Sequence, residues 1–168
     1  MSKYQDVIRK LNLIAHPVEG GFFKRNYTAE VKAYFPNIGE ERKVASAIFY
    51  LFGDTSLSYP HYLNQDELWH FYSGAPIELL LLPKNGSSEL IIMGSDILRG
   101  HKPQVQILAG TVFCAKMVKG GEYSLIGATL SPAFEYGDYH EVDCLKLISK
   151  YPQYEEFLKE FIPKNKEN

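Results

Sequence analysis

Between Val44 and Leu130 the chain is cut into short apolar runs by turn signals, and this pattern excludes most architectures. The runs are Val44–Phe52, Glu67–Tyr72, Ile77–Leu82, Glu89–Met93, Pro103–Leu108, Thr111–Met117 and Tyr123–Leu130. Between them stand Gly53-Asp54, Ser73-Gly74-Ala75-Pro76, Lys84-Asn85-Gly86, Gly94-Ser95-Asp96, Ala109-Gly110 and Gly120-Gly121. Many short strands at near-regular spacing predict a sandwich or barrel and argue against a βαβ fold. The 12 Tyr and 10 Phe support that reading, because aromatic rings pack well on a pleated surface.

The two ends read differently. Ser2 and Gln5 have the spacing of a capping box, and Tyr4, Val7, Ile8 and Leu11 make one apolar helical face. Pro17 stops that helix and Gly20-Gly21 opens a turn. A first strand is predicted from Phe22 to Tyr27, and a loop from Thr28 to Arg42. After the strands, Val142, Leu145, Leu147 and Ile148 suggest a short helix. Pro152 suits the first turn of another, with Tyr154, Phe157, Leu158 and Phe161 on its buried side. Residues 1–168 therefore read as one domain, its core at 20–140 and its C-terminal helices at 141–163.

A net charge of −2 offers no attraction to phosphate backbones, so no nucleic-acid partner is expected. The start of the chain is polar and lacks an apolar signal core, and the run Ile77–Leu82 is too short to span a bilayer. A cytoplasmic protein without membrane contact is predicted. Cys114 and Cys144 are far apart in sequence and form no Cys-x-x-Cys pair, so both are expected to be buried free thiols.

The chemistry centres on His61 and Glu67. Side chains alternate along a strand, so Glu67, Trp69 and Phe71 share one face and Leu68, His70 and Tyr72 the other. His70 is thus not expected to join Glu67 in one site. A carboxylate in an apolar strand is costly to bury unpaired, which argues that Glu67 faces a pocket. Arg25, on the first strand, is a candidate partner for an anionic ligand group. Trp69 has the parity of Glu67 and is placed to stack a ring. Glu19, beside Gly20-Gly21, suggests a loop near the pocket. His16, His101 and His140 have no ligand spacing and read as structural or solvated.

Three stretches together resemble one family. They are Leu13-Ile-Ala-His16-Pro-Val-Glu19-Gly20-Gly21-Phe22-Phe23, Asp66-Glu67-Leu-Trp69-His70-Phe71-Tyr72-Ser-Gly74-Ala-Pro76, and Ser124-Leu-Ile-Gly127-Ala-Thr-Leu-Ser-Pro132-Ala-Phe134. The chain resembles a largely uncharacterised cupin family close in fold to the sugar epimerases of the rhamnose pathway. The resemblance implies a mainly β double-stranded β-helix, the cupin jelly roll, with short N- and C-terminal helices and a homodimeric state. His61, Glu67 and Gly74 keep the frame of the first cupin motif, His-x-His-x(3–4)-Glu-x(6)-Gly, but Leu63 replaces its second histidine. Phe113 sits where the second motif has its histidine ligand. The family commonly reads His-Pro-Glu-Gly-Gly, and here Val18 is inserted before Glu19.

What this implies for function stays open among three readings. One is a metal-independent isomerase or epimerase of a carbonyl-bearing or sugar-like substrate, without cofactor. His61 would be its base, Glu67 the orienting or polarising acid, and Tyr139 the proton donor in preference to Tyr136 or Tyr50. Another is a cupin oxygenase or lyase holding one divalent transition metal with His61, Glu67 and Gln104. The remaining reading is a binding module whose barrel holds a small molecule without turning it over. Glu19, Arg25, Tyr50, Trp69, Gln104 and Phe113 are the candidate ligand contacts.

Overall fold

The computed structural model describes residues 2–17 and 20–163. It opens with α1 (Lys3–Leu11), capped by the Ser2 side chain accepting from the Gln5 N–H, and ends at Asn12 in the left-handed region at φ 53°. The strands are β1 (Ile14–Ala15), β2 (Phe22–Thr28), β3 (Lys32–Phe35), β4 (Glu40–Lys43), β5 (Ser46–Phe52), β6 (Leu57–Leu63) and β7 (Asp66–Gly74). They continue with β8 (Ile77–Leu82), β9 (Glu89–Met93), β10 (Gln104–Ile107), β11 (Val112–Met117), β12 (Ser124–Ser131) and β13 (Tyr139–Glu141). The chain closes with α2 (Cys144–Lys150), a 3-10 turn (Pro152–Tyr154) and α3 (Glu155–Lys159). Pro152 occupies the first turn of that last segment, as its spacing predicts.

Two antiparallel sheets face each other in a jelly roll. One has the order β1-β2-β5-β12-β7-β10, the other β13-β6-β11-β8-β9. Inward-facing residues of both make the main core, including Phe52, Trp69, Leu79, Met93, Val105, Phe113 and Ile126. A second apolar cluster lies where α2 and α3 cover the five-stranded sheet. Strand β8 serves both: Ile77 and Leu79 join the main core, and Leu80 and Leu82 the cluster beneath the helices. A strand buried on both faces has no polar side to show, which is why Ile77–Leu82 reads as a nearly continuous apolar run.

Two expectations are corrected. The segment expected as a loop, Thr28 to Arg42, ends β2 and then holds the β3–β4 hairpin. Its side chains are mostly exposed, so alternation gave no apolar signal. Strand β6 was also not predicted, because Ser58, Tyr59 and Pro60 interrupt its pattern. Pro60 is tolerated there beside the register shift in the β6–β11 pairing.

Arg42, 5% exposed, leaves β4 to clamp the segment after β12. Its Nη2 donates to the Ala133 carbonyl at 2.7 Å and to Asp138 Oδ2 at 2.9 Å. Gln65 also donates to Asp138 Oδ2, at 2.9 Å, and the Glu135 N–H does the same. Burial pushes the Asp138 carboxyl up, but Arg42 and the other donors outweigh it and hold the group below its usual value. The clamp fixes the stretch that carries Phe134, Tyr136 and Tyr139.

Candidate functional site

A cavity that opens to solvent at its mouth lies between the sheets. Its apolar wall includes Phe23, Ile48, Leu63, Phe113, Ile126 and Phe134. Its polar groups come from His16, Arg25, Tyr50, His61, Glu67, Trp69 and Tyr136. Strand alternation produces this set directly. Phe23 and Arg25 share a face of β2, Ile48 and Tyr50 of β5, His61 and Leu63 of β6, and Glu67 and Trp69 of β7.

His61 and Glu67 line the same cavity. His61 is 2% exposed. Its register partner across the five-stranded sheet is Phe113, and their rings lie 4.2 Å apart. Its Nδ1 is 2.6 Å from the Tyr59 carbonyl. A carbonyl can only accept, so Nδ1 carries the proton and Nε2 keeps a lone pair. Burial lowers the imidazole to about 4, with a smaller push from His16, so the ring is neutral at physiological pH.

Glu67 is 7% exposed, and its Oε2 has no hydrogen-bond partner. Burial raises this carboxyl to about 7. Trp69 pulls the value slightly back, yet its indole N–H does not reach hydrogen-bond geometry and is itself unpartnered. Glu67 therefore exchanges its proton near neutrality, which His61 does not.

The remaining candidates divide. Tyr50, Trp69, Phe113 and Arg25 all line the cavity. The Tyr50 hydroxyl donates to the Gly20 carbonyl at 2.5 Å. Arg25 donates from Nη2 to the Phe134 carbonyl at 3.0 Å, with its guanidinium 5.8 Å from the Phe134 ring centre.

Tyr139, expected as the acid near the barrel mouth, instead lies flat against the His61 imidazole at 4.6 Å and is not among the lining residues. Tyr136, three residues earlier, opens a 3-10 turn (Tyr136–Asp138) and does line the cavity.

Gln104 is also corrected: it is exposed and pairs in register with His70, and its amide nitrogen lies 3.1 Å from His70 Nδ1. Both residues point away from Glu67, because Ile107 is the residue paired with Glu67 and parity then alternates. Glu19 lies outside the described residues.

His16, expected to be structural or solvated, is a cavity residue. It packs on Phe23 at 4.6 Å, and burial lowers it to about 4. No strand pattern signals it. Its only sequence cue is its place ahead of the Gly20-Gly21 turn.

A metal does not fit this set. Among the described residues no three of His, Cys, Asp and Glu come together as ligands. With Leu63 and Phe113 at the vacated positions and Gln104 outside, His61 and Glu67 are what remains of the expected ligand set among the described residues, fewer than zinc, iron or manganese sites use, and His16 does not complete a cluster with them.

No curated protein matches the chain. Among the solved structures similar to it, two are matched over nearly their whole length. A hypothetical protein from Leishmania major is 26% identical with a TM-score of 0.85, covering 95% of this chain and 98% of its own. Protein SO0799 from Shewanella oneidensis is 30% identical with a TM-score of 0.81 and the same coverage. The oxalate decarboxylase of Lactobacillus farciminis, solved as a formate complex, shares the fold at 12% identity and a TM-score of 0.55, covering 92% of this chain and 43% of its own. The family described as "Cupin superfamily (DUF985)" matches residues 5–142. With that match over most of its length, and with the jelly roll and its enclosed cavity, the chain belongs to the DUF985 family of the cupin superfamily.

Proposed function

We propose that the cavity binds a small carbonyl-bearing compound and moves a proton on it, as an isomerase or epimerase does. The observation that carries this reading is Glu67, a buried carboxyl with an unpartnered oxygen in a cavity shared with a neutral imidazole. A group titrating near 7 is well matched to proton transfer at physiological pH. In its ionised form Glu67 takes the proton next to the carbonyl and returns it to the adjacent carbon. His61, whose Nδ1–H is committed to Tyr59, accepts a hydroxyl proton of the substrate at Nε2 and passes it to the former carbonyl oxygen, so that it ends the cycle neutral as it began.

The test is deuterium incorporation from heavy water into a panel of small oxo and hydroxyoxo compounds. Glu67→Gln should lower the exchange rate by about 100-fold or more. No incorporation into any compound that binds would remove the catalytic reading. A binding role alone would then stand. It has its own support, because the Glu67 Oε2 has no hydrogen-bond partner to orient it.

The setting is also proposed. Cys114 and Cys144 are free thiols, which suits a reducing, cytoplasmic compartment. Exposed Tyr27, Val31 and Tyr34 give β2 and the β3–β4 hairpin an apolar surface suited to a second copy of the chain. Sedimentation at micromolar concentration tests this homodimer.

A further inference from the structure

The cavity is electrically lopsided. At its inner end His61 is a neutral imidazole and Glu67 a carboxyl near its midpoint. His16, also on the wall, is neutral as well. Among the described residues Arg25 is the only permanent cation lining the cavity, and it is exposed. Among the described residues no carboxylate lies within ion-pair reach of it. Its recorded hydrogen bond, to the Phe134 carbonyl, engages one nitrogen and holds the guanidinium beside the mouth. A guanidinium has five N–H donors, so an edge remains for a planar anion.

Backbone geometry supports the aim of this side chain. Arg25 follows Phe23 on the inward face of β2, and the β2–β5 register shifts immediately after it. Such bulges re-aim side chains at sheet margins. Arg25 pairs with Ile48, Ile48 with Ala128, and Ala128 with Trp69, which shares its face with Glu67. Three strand spacings, about 14 Å across the sheet before its curvature, separate Arg25 from Trp69, and Glu67 lies two residues further along β7, about 7 Å. The Arg25 and Glu67 side chains close part of that span and leave the length of a short carbon chain. The wall between them is Ile48, Ile126, Ala128 and Phe134.

We propose that the ligand is a small oxo acid, with its carboxylate on Arg25 at the rim, its methylenes against the apolar wall and its carbonyl at His61 and Glu67. This rests on the proposed proton-transfer site for the carbonyl end alone. The carboxylate end stands on the position of Arg25.

Calorimetric titration of the full chain with 4-oxopentanoate and 5-oxohexanoate, and with their uncharged primary amides, tests the proposal. The acids should bind about tenfold more tightly than the amides, as expected for a charge-assisted bidentate contact. Added salt should erode only the acid binding. Arg25→Gln should abolish the preference, and Arg25→Lys should keep part of it. Equal binding of acid and amide would overturn the proposal, as would a preference that survives in Arg25→Gln or no binding of either probe. The two readings fail separately. Preference for the acid without deuterium exchange removes only the proton transfer, and equal exchange on acid and amide removes only the role of Arg25.

Discussion

Two of the places where this molecule buries ionisable groups do it in opposite ways. Around Arg42 and Asp138 charge meets charge, and the Asp138 carboxylate accepts from a guanidinium, an amide and a backbone N–H. Around Glu67 and His61 the carboxyl is left without a partner, and burial suppresses ionisation instead. The first arrangement is complete without a ligand. The second leaves an acceptor and an exchangeable proton facing an open space. A buried group that the fold fails to satisfy is costly, and a cavity is the place where that cost has a use.

The contrast is open to attack by substitution. Asp138→Ala strips the buried Arg42 of its main partner, and the loss should be the largest of those considered, about 3–5 kcal/mol in urea unfolding. A loss below about 1 kcal/mol would mean the clamp is no more than a surface contact.

Glu67→Gln should act in the other direction. Folded Glu67 keeps its proton to about pH 7, whereas the unfolded chain releases it near 4.5. The folded state binds more protons across that window, so the wild type loses stability as pH rises through it. Glutamine removes the effect, giving a gain of up to about 3 kcal/mol at pH 8 and none at pH 4.5.

His61 titrates with the reverse sign. Unfolded, it takes a proton below 6.5; folded, it resists to about 4. Its contribution is present above 6.5 and is lost as pH falls toward 4. Nitrogen NMR should show the Nδ1–H tautomer intact at pH 5, and an imidazolium signal at that pH would contradict the burial described. The smallest effect belongs to Gln104→Ala, within about 0.5 kcal/mol and without change in ligand affinity, because the residue lies on the outer face.

Parity along β7 made much of this legible in the chain alone. It put Glu67 with Trp69 and sent His70 to the other side, and both hold in the structure. The end helices were readable from caps and apolar spacing. Long-range geometry was not. Whether Tyr136 or Tyr139 meets the cavity depends on a 3-10 turn held by Arg42, about 90 residues earlier in the chain. Arg42 itself hides in Glu40-Glu41-Arg42-Lys43, a run that looks like any solvated strand. His16 comes to the cavity because β1 is joined to β2, and a two-residue strand carries no periodicity to read.

Strand β8 has a consequence for how the protein is made. Leu80 and Leu82 press against Leu147, Phe157, Leu158 and Phe161, all of which follow them in the chain. Until α2 and α3 emerge from the ribosome, the finished jelly roll would present a naked, adhesive flank of β structure to its surroundings. Synthesis order thus makes the C-terminal helices a closing lid on a half-covered chain, and a version truncated at residue 142 should precipitate even though every strand and every cavity residue is still present.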